Sequence, residues 1–133
     1  MNNSSIIKVL IHSDDRTFSM EHRHKLKAYD MDVHFFNDKL NMLELIRSEE
    51  MDILVVNLNN SGHLDLSIVK AIRDVCSEIE IILLADTNDN IPSVDIMIEY
   101  NINGFHIKTN SQDNLLHQIL SARKICLQKK TRP

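Results

Sequence analysis

The sequence predicts an α/β domain built on a doubly wound, five-stranded parallel sheet in the flavodoxin-like order 2-1-3-4-5, with helices on both faces. Three observations lead there. Short apolar runs rich in β-branched residues alternate with longer stretches at helical spacing, five times over. Such alternation implies parallel βαβ units, and right-handed crossovers then put helices on both sides of the sheet. At 133 residues and 43% hydrophobic content the chain makes one domain with enough apolar material for a core, and the simplest five-stranded winding of that size is this order.

The elements follow in sequence. IIKVLI (6–11) reads as the first strand, and Phe18, His22, Leu26 and Tyr29 recur at the spacing of a helix. VHFF (33–36) is the second strand. Asp38 suits an N-cap for a second helix in which Leu40, Leu43 and Ile46 share a face. ILVV (53–56) is the third strand, followed by a helix marked by Ile68, Val69, Ile72 and Val75. IEIILLA (79–85) is the fourth, and Val94, Met97 and Ile98 mark a shorter helix. FHI (105–107) is the fifth. Asn110 or Ser111 then caps a last helix striped by Leu115, Ile119, Ala122 and Cys126, with Leu116 and Leu120 beside them. The first, third and fourth strands are the most continuously apolar and are expected at the centre. The expected domain covers residues 6–127, between a disordered tail (1–5) and a basic linker or tail (128–133).

Composition excludes several classes. With two Gly and two Pro there is no Gly-rich phosphate cradle. No apolar run approaches the roughly 18 residues that span a bilayer, and the start MNNSSIIKV lacks a secretory signal's pattern. Cys76 and Cys126 form no C-x-x-C pair and read as reduced packing residues of a cytoplasmic protein. The net charge of −4 argues against nucleic-acid binding by this domain. From Asn114 to Pro133 there is no acid; the cations Arg123, Lys124, Lys129, Lys130 and Arg132 read as a helix end suited to the macrodipole and then a solvated tail. The histidines His12, His22, His24, His34, His63, His106 and His117 are scattered and read as surface or half-buried residues, not as a metal cluster.

In doubly wound folds the site lies at the carboxyl ends of the strands, near the switch point. That rule gathers Ser13, Asp14 and Asp15 after the first strand, Asn57 after the third, Ala85 and Asp86 after the fourth, and Lys108 after the fifth.

At these residues the chain resembles the receiver domains of two-component response regulators. KVLIHSDD is similar to the first strand with its acidic pair. DILVVNLNNSGHLDL is similar to the third strand and the phosphorylation loop. YNINGFHIKTNSQDNLLHQI is similar to the fifth strand with its lysine, and most resembles receivers of LuxR/NarL-type transcription regulators. The resemblance implies a phosphoacceptor aspartate at position 57, where this chain has Asn57. An ionised carboxylate attacks phosphorus; a neutral amide oxygen is a far weaker nucleophile. The resemblance also implies an acidic pair for Mg²⁺, of which Ser13 replaces one member, leaving Asp14 as a weak candidate with Asp15 beyond it. Ala85 stands where a hydroxyl is expected, followed by Asp86, and Phe105 lacks a phenol. Lys108 is retained and is expected to pair with Asp14 or Asp86.

The expectation is therefore a non-enzymatic regulatory module without a cofactor, independent of phosphorylation and forming the N-terminal part of a transcription regulator. It is expected to form a homodimer through Ile96, Ile98, Ile102 and Phe105. Two alternatives stand beside it. One is sensing of a small ligand such as a cyclic dinucleotide, with Arg123 and a few lysines as the available cations. The other is phosphoacceptance on another carboxylate, Asp15 or Asp65.

Overall fold

The computed structural model describes residues 6–12, 16–36, 38–57, 59–60, 63–64, 66–85, 93–107 and 112–130. Its main sheet contains β1 (Ile7–His12), β2 (Met31–Phe36), β3 (Ile53–Asn57), β6 (Glu80–Ala85) and β7 (Gly104–Ile107). They lie in the order β2-β1-β3-β6-β7, and every neighbouring pair is parallel. This is the expected order, with the first, third and fourth sheet strands inside. Those three are sealed by helices on both faces, which is why Leu10, Ile11, Ile53, Leu54, Val55, Val56 and Ile81 are all buried. A two-stranded antiparallel ribbon, β4 (Asn59–Asn60) with β5 (His63–Leu64), follows β3 and was not foreseen.

Among the described residues five helices accompany the sheet: α1 (Arg16–Lys27), α2 (Lys39–Ser48), α3 (Leu66–Val75), α4 (Val94–Glu99) and α5 (Gln112–Lys130). One core packs Met42 and Ile46 of α2 and Val69 and Ile72 of α3 against Leu54, Val56, Ile81 and Leu83. The other packs Leu26 of α1 and Leu115, Ile119, Ala122 and Cys126 of α5 against Val9, Ile11, Val55 and Leu84. The α5 stripe is as read from the sequence.

Other helical faces differ from expectation. Asp38 does cap α2, accepting a hydrogen bond from the Leu40 N–H at 2.9 Å. Leu40 itself, however, is 75% exposed, and Met42 takes the inward place one turn before Ile46. Helix α1 stops at Lys27, so Tyr29 falls in the following turn and is exposed. Asp30 completes that turn at φ 59°, a left-handed conformation that short polar side chains tolerate. In α4, Val94 and Ile98 point outward, and no residue of that helix is buried. Helical spacing shows which residues share a side; the neighbouring elements decide which side turns inward. The last helix continues through Lys130.

Two side chains lock the layers together. The Arg73 guanidinium donates to the carbonyls of Tyr100, Ser77, Ile79 and Asn101, joining the end of α3 to the turn after α4. At the edge strand, Gly104 lets Gln118 of α5 approach. A Cβ there would meet Gln118 Oε1 at 2.6 Å, while Gln118 Nε2 donates to the Phe105 carbonyl at 2.7 Å.

Candidate functional site at the carboxyl edge of the sheet

Parallel strands all end on one edge, so the sheet gathers the segments that follow them. The ladder sets Ile11 of β1 against Val55 of β3, Asn57 of β3 against Leu84 of β6, and Ala85 of β6 against Ile107 of β7. The chain leaves β1 towards β2 on one side, while β3 lies on the other. This is the switch point where such folds hold their sites. Asn57 and Ala85 are the last residues of two adjacent central strands there. Ser13, Asp14, Asp15, Asp65, Asp86 and Lys108 lie outside the described residues, as does the expected Lys108 ion pair. Beside this edge the His12 ring stacks on Phe36, with centroids 4.8 Å apart and planes 15° apart.

The expected dimer residues divide. Ile98 is 72% exposed, whereas Ile96 and Phe105 are half-buried. Ile102 is buried in the core beneath α4 and offers no interface area. Its N–H bonds to the Met97 carbonyl, which folds the chain back under the helix after its last turn.

A second polar centre sits at the opposite, amino edge. Glu80 opens β6 and is buried; Lys129 Nζ reaches it at 2.6 Å and Glu78 at 3.3 Å. Asn103 donates to the other Glu80 oxygen and accepts from the Ile81 N–H. Lys130 lies 3.3 Å from Asp52, whose carboxylate also accepts from the Lys8 N–H. Burial works against the Lys129 charge, but the hydrogen bond and attraction to Glu80, with Glu78 behind, hold its ammonium above the usual lysine range. Burial pushes the Cys126 thiol up to about 12, helped by Glu80 and Asp52. A cavity of about 630 Å³ opens here, lined in part by Met51, Cys76, Ile79 and Cys126. The lysines are spent on acids of the same chain, so the centre acts as a tie between α5 and the sheet. Both lysines belong to the basic end that the sequence alone assigns to solvent; the available signal is Glu80, an acid at the head of an otherwise apolar strand.

Two histidines read as surface or half-buried are fully buried: His22 on α1 and His106 on β7. Burial, and then the charge of the neighbouring His22, push the His106 pKa below the usual histidine range. Among the described residues, no group of three His, Cys, Asp or Glu is placed to hold a metal ion. No described helix is long and apolar enough to cross a membrane.

A five-stranded parallel sheet in this order, with its switch point between β1 and β3, is a flavodoxin-like fold, the fold of response regulator receiver domains among others. Solved structures of that type superpose on it. A CheY-like response regulator receiver domain protein from Methanospirillum hungatei JF-1 matches over 93% of this chain and 98% of its own, with a TM-score of 0.75 and 12% identity. The signal receiver domain of an HD domain-containing protein from Pseudomonas fluorescens Pf-5 matches over 90% and 96%, at 0.72 and 17%. The N-terminal domain of a response regulator/sensory box/GGDEF three-domain protein from Carboxydothermus hydrogenoformans matches over 89% and 94%, at 0.70 and 17%. No protein-family model and no curated protein matches the chain. The shared property is the fold.

Proposed function

We propose that this chain is a receiver-type regulatory module that signals without accepting a phosphoryl group. One observation carries the reading: the last residue of central strand β3, at the switch point, is Asn57. Phosphoryl transfer relies on an anionic nucleophile and on clamps that neutralise developing charge. An amide supplies no such nucleophile. Mg²⁺ fits this donor set poorly, because it dehydrates reluctantly and Asp14 is the one carboxylate in register. Ala85, at the end of β6, has no hydroxyl to bond a phosphoryl oxygen. The module works in the cytoplasm as part of a longer transcription regulator. Receiver domains that belong to multidomain proteins, as two of the matched structures do by description, support the idea of a longer chain. The signal passes through a homodimer on the outward face of α4, where Val94 and Ile98 are exposed.

Intact mass spectrometry after acetyl phosphate treatment, with Mg²⁺ titrated separately, tests the reading. We expect no adduct and weak metal binding from the natural chain. Asn57→Asp should recover part of the metal binding without the full switch, since Ala85 and Phe105 still lack their hydroxyls. A stoichiometric phosphoryl adduct on the natural chain would transfer the acceptor role to another carboxylate, Asp15 or Asp65, and end the proposal.

A further inference from the structure

Helix α5 carries two rows of side chains. Leu115, Ile119, Ala122 and Cys126 are buried against the sheet. A second row, Leu120, Arg123, Lys124 and Leu127, follows at spacings of three and four along the adjacent side. With Tyr29 from the turn after α1, this row lines an open groove of about 600 Å³. Leu120 and Leu127 are half-buried and pack on the core, so the groove has an apolar floor. At its wall, Arg123 Nε is shielded from solvent and has no hydrogen-bond partner among the described residues. A shielded guanidinium N–H without an acceptor is costly to leave so, and a carboxylate is its best complement.

The surroundings are one-sided in charge. Helices α1 and α5 share one face of the sheet and together hold eight Lys or Arg against two acids. The whole chain has 15 and 19. Lys129 and Lys130 are used at the amino edge, but Lys124 lines the groove and is exposed, as is Lys27, which precedes Tyr29 closely in the chain.

We propose that this groove docks an acidic amphipathic segment of a partner protein, with its apolar side chains on Leu120, Leu127 and Tyr29 and its carboxylates on Arg123 and Lys124. Charge complementarity selects this occupant. A second copy pairing two-fold through the same row would set Arg123 and Lys124 against themselves, and like charges at an interface are strongly unfavourable. A phosphate backbone would use the cations but gain nothing from the leucine floor. The surface is independent of Asn57 and of α4, so the proposal stands or falls apart from the phosphorylation reading.

The test uses the 133-residue chain, ¹⁵N-labelled, and a synthetic helical peptide of Leu and Glu at spacings of three and four. Its Leu/Lys counterpart, a DNA duplex and a protein-only concentration series run alongside. We expect the Leu/Glu peptide to shift the amide signals of Tyr29, Leu120, Arg123, Lys124 and Leu127. Binding should weaken as salt rises, and by on the order of tenfold in Arg123→Gln/Lys124→Gln. Circular dichroism checks that this variant is folded; Lys124→Gln alone should show a smaller loss if it is not. Four results would overturn the proposal: no shift with the Leu/Glu peptide, equal binding of the Leu/Lys peptide, preference for DNA, or self-association that shifts the same signals.

Discussion

His106 shows how much a single side chain can tie to pH. It is 1% exposed, and neither ring nitrogen is hydrogen-bonded among the described residues. Burial and then the charge of His22 hold it neutral in the folded protein. In the unfolded chain it takes up a proton at about pH 6.5. Between that pH and its lower folded pKa the unfolded state binds more protons, so stability falls as pH falls through this window. Chemical denaturation at pH 7.5, 6.5 and 5.5 should show the decline, and His106→Gln should flatten it. An unchanged slope in the variant would mean that other groups set the pH response. Asn57 needs no such measurement to be seen in the sequence. It was legible because it follows four apolar residues, whereas His106 was not, because one strand residue carries no mark of which layer will cover it.

At the scale of elements, the end of α5 is held by two unequal ties. Lys129 faces a carboxylate that is only 4% exposed, at 2.6 Å; Lys130 faces Asp52, 15% exposed, at 3.3 Å. Removing Lys129 leaves Glu80 buried with Asn103 as its remaining described side-chain bond. Lys129→Ala should therefore cost about 1–3 kcal/mol, the usual cost of an unsatisfied buried partner. Lys130→Ala should cost less than about 1 kcal/mol, because the Lys8 N–H still serves Asp52. Equal losses in thermal unfolding would show that the two pairs are not distinguished by burial. Helix α4 is the opposite case, an element that buries no residue. Ile98→Ser should change stability by no more than about 0.5 kcal/mol yet shift the sedimentation of the chain from dimer to monomer. A natural chain that is monomeric at micromolar concentration would refute the proposed dimer. Ile98 is outward, as an interface residue must be; Ile102, expected beside it, is buried, because with Met97 it fills the space beneath the helix.

Across the whole molecule, one sheet separates two cores, and the two cysteines fall on different sides of it. Cys126 belongs to the α1–α5 side and is buried, with its thiol pushed up to about 12; Cys76 is half-buried and packs on the α2–α3 side. The thiolate is the reactive form. A thiol reagent at pH 8 should label Cys76 first, with Cys126 reacting only as the fold opens. Two thiols labelled at one rate in native buffer would contradict the burial seen here.

The sequence by itself determined the order of strands and helices, the central place of the apolar strands, and the buried row of α5. Local periodicity encodes these, because each depends on residues two to four apart. It also placed Asn57 and Ala85 at one edge, since parallel strands must end together. Only the tertiary structure decided the rest. It turned Leu40 outward and buried Ile102, His22 and His106. It also brought Lys129 to Glu80 across 49 residues of chain. Those outcomes depend on which surfaces meet when the layers close. Charge and burial are then settled between elements far apart in sequence, where no local pattern reaches.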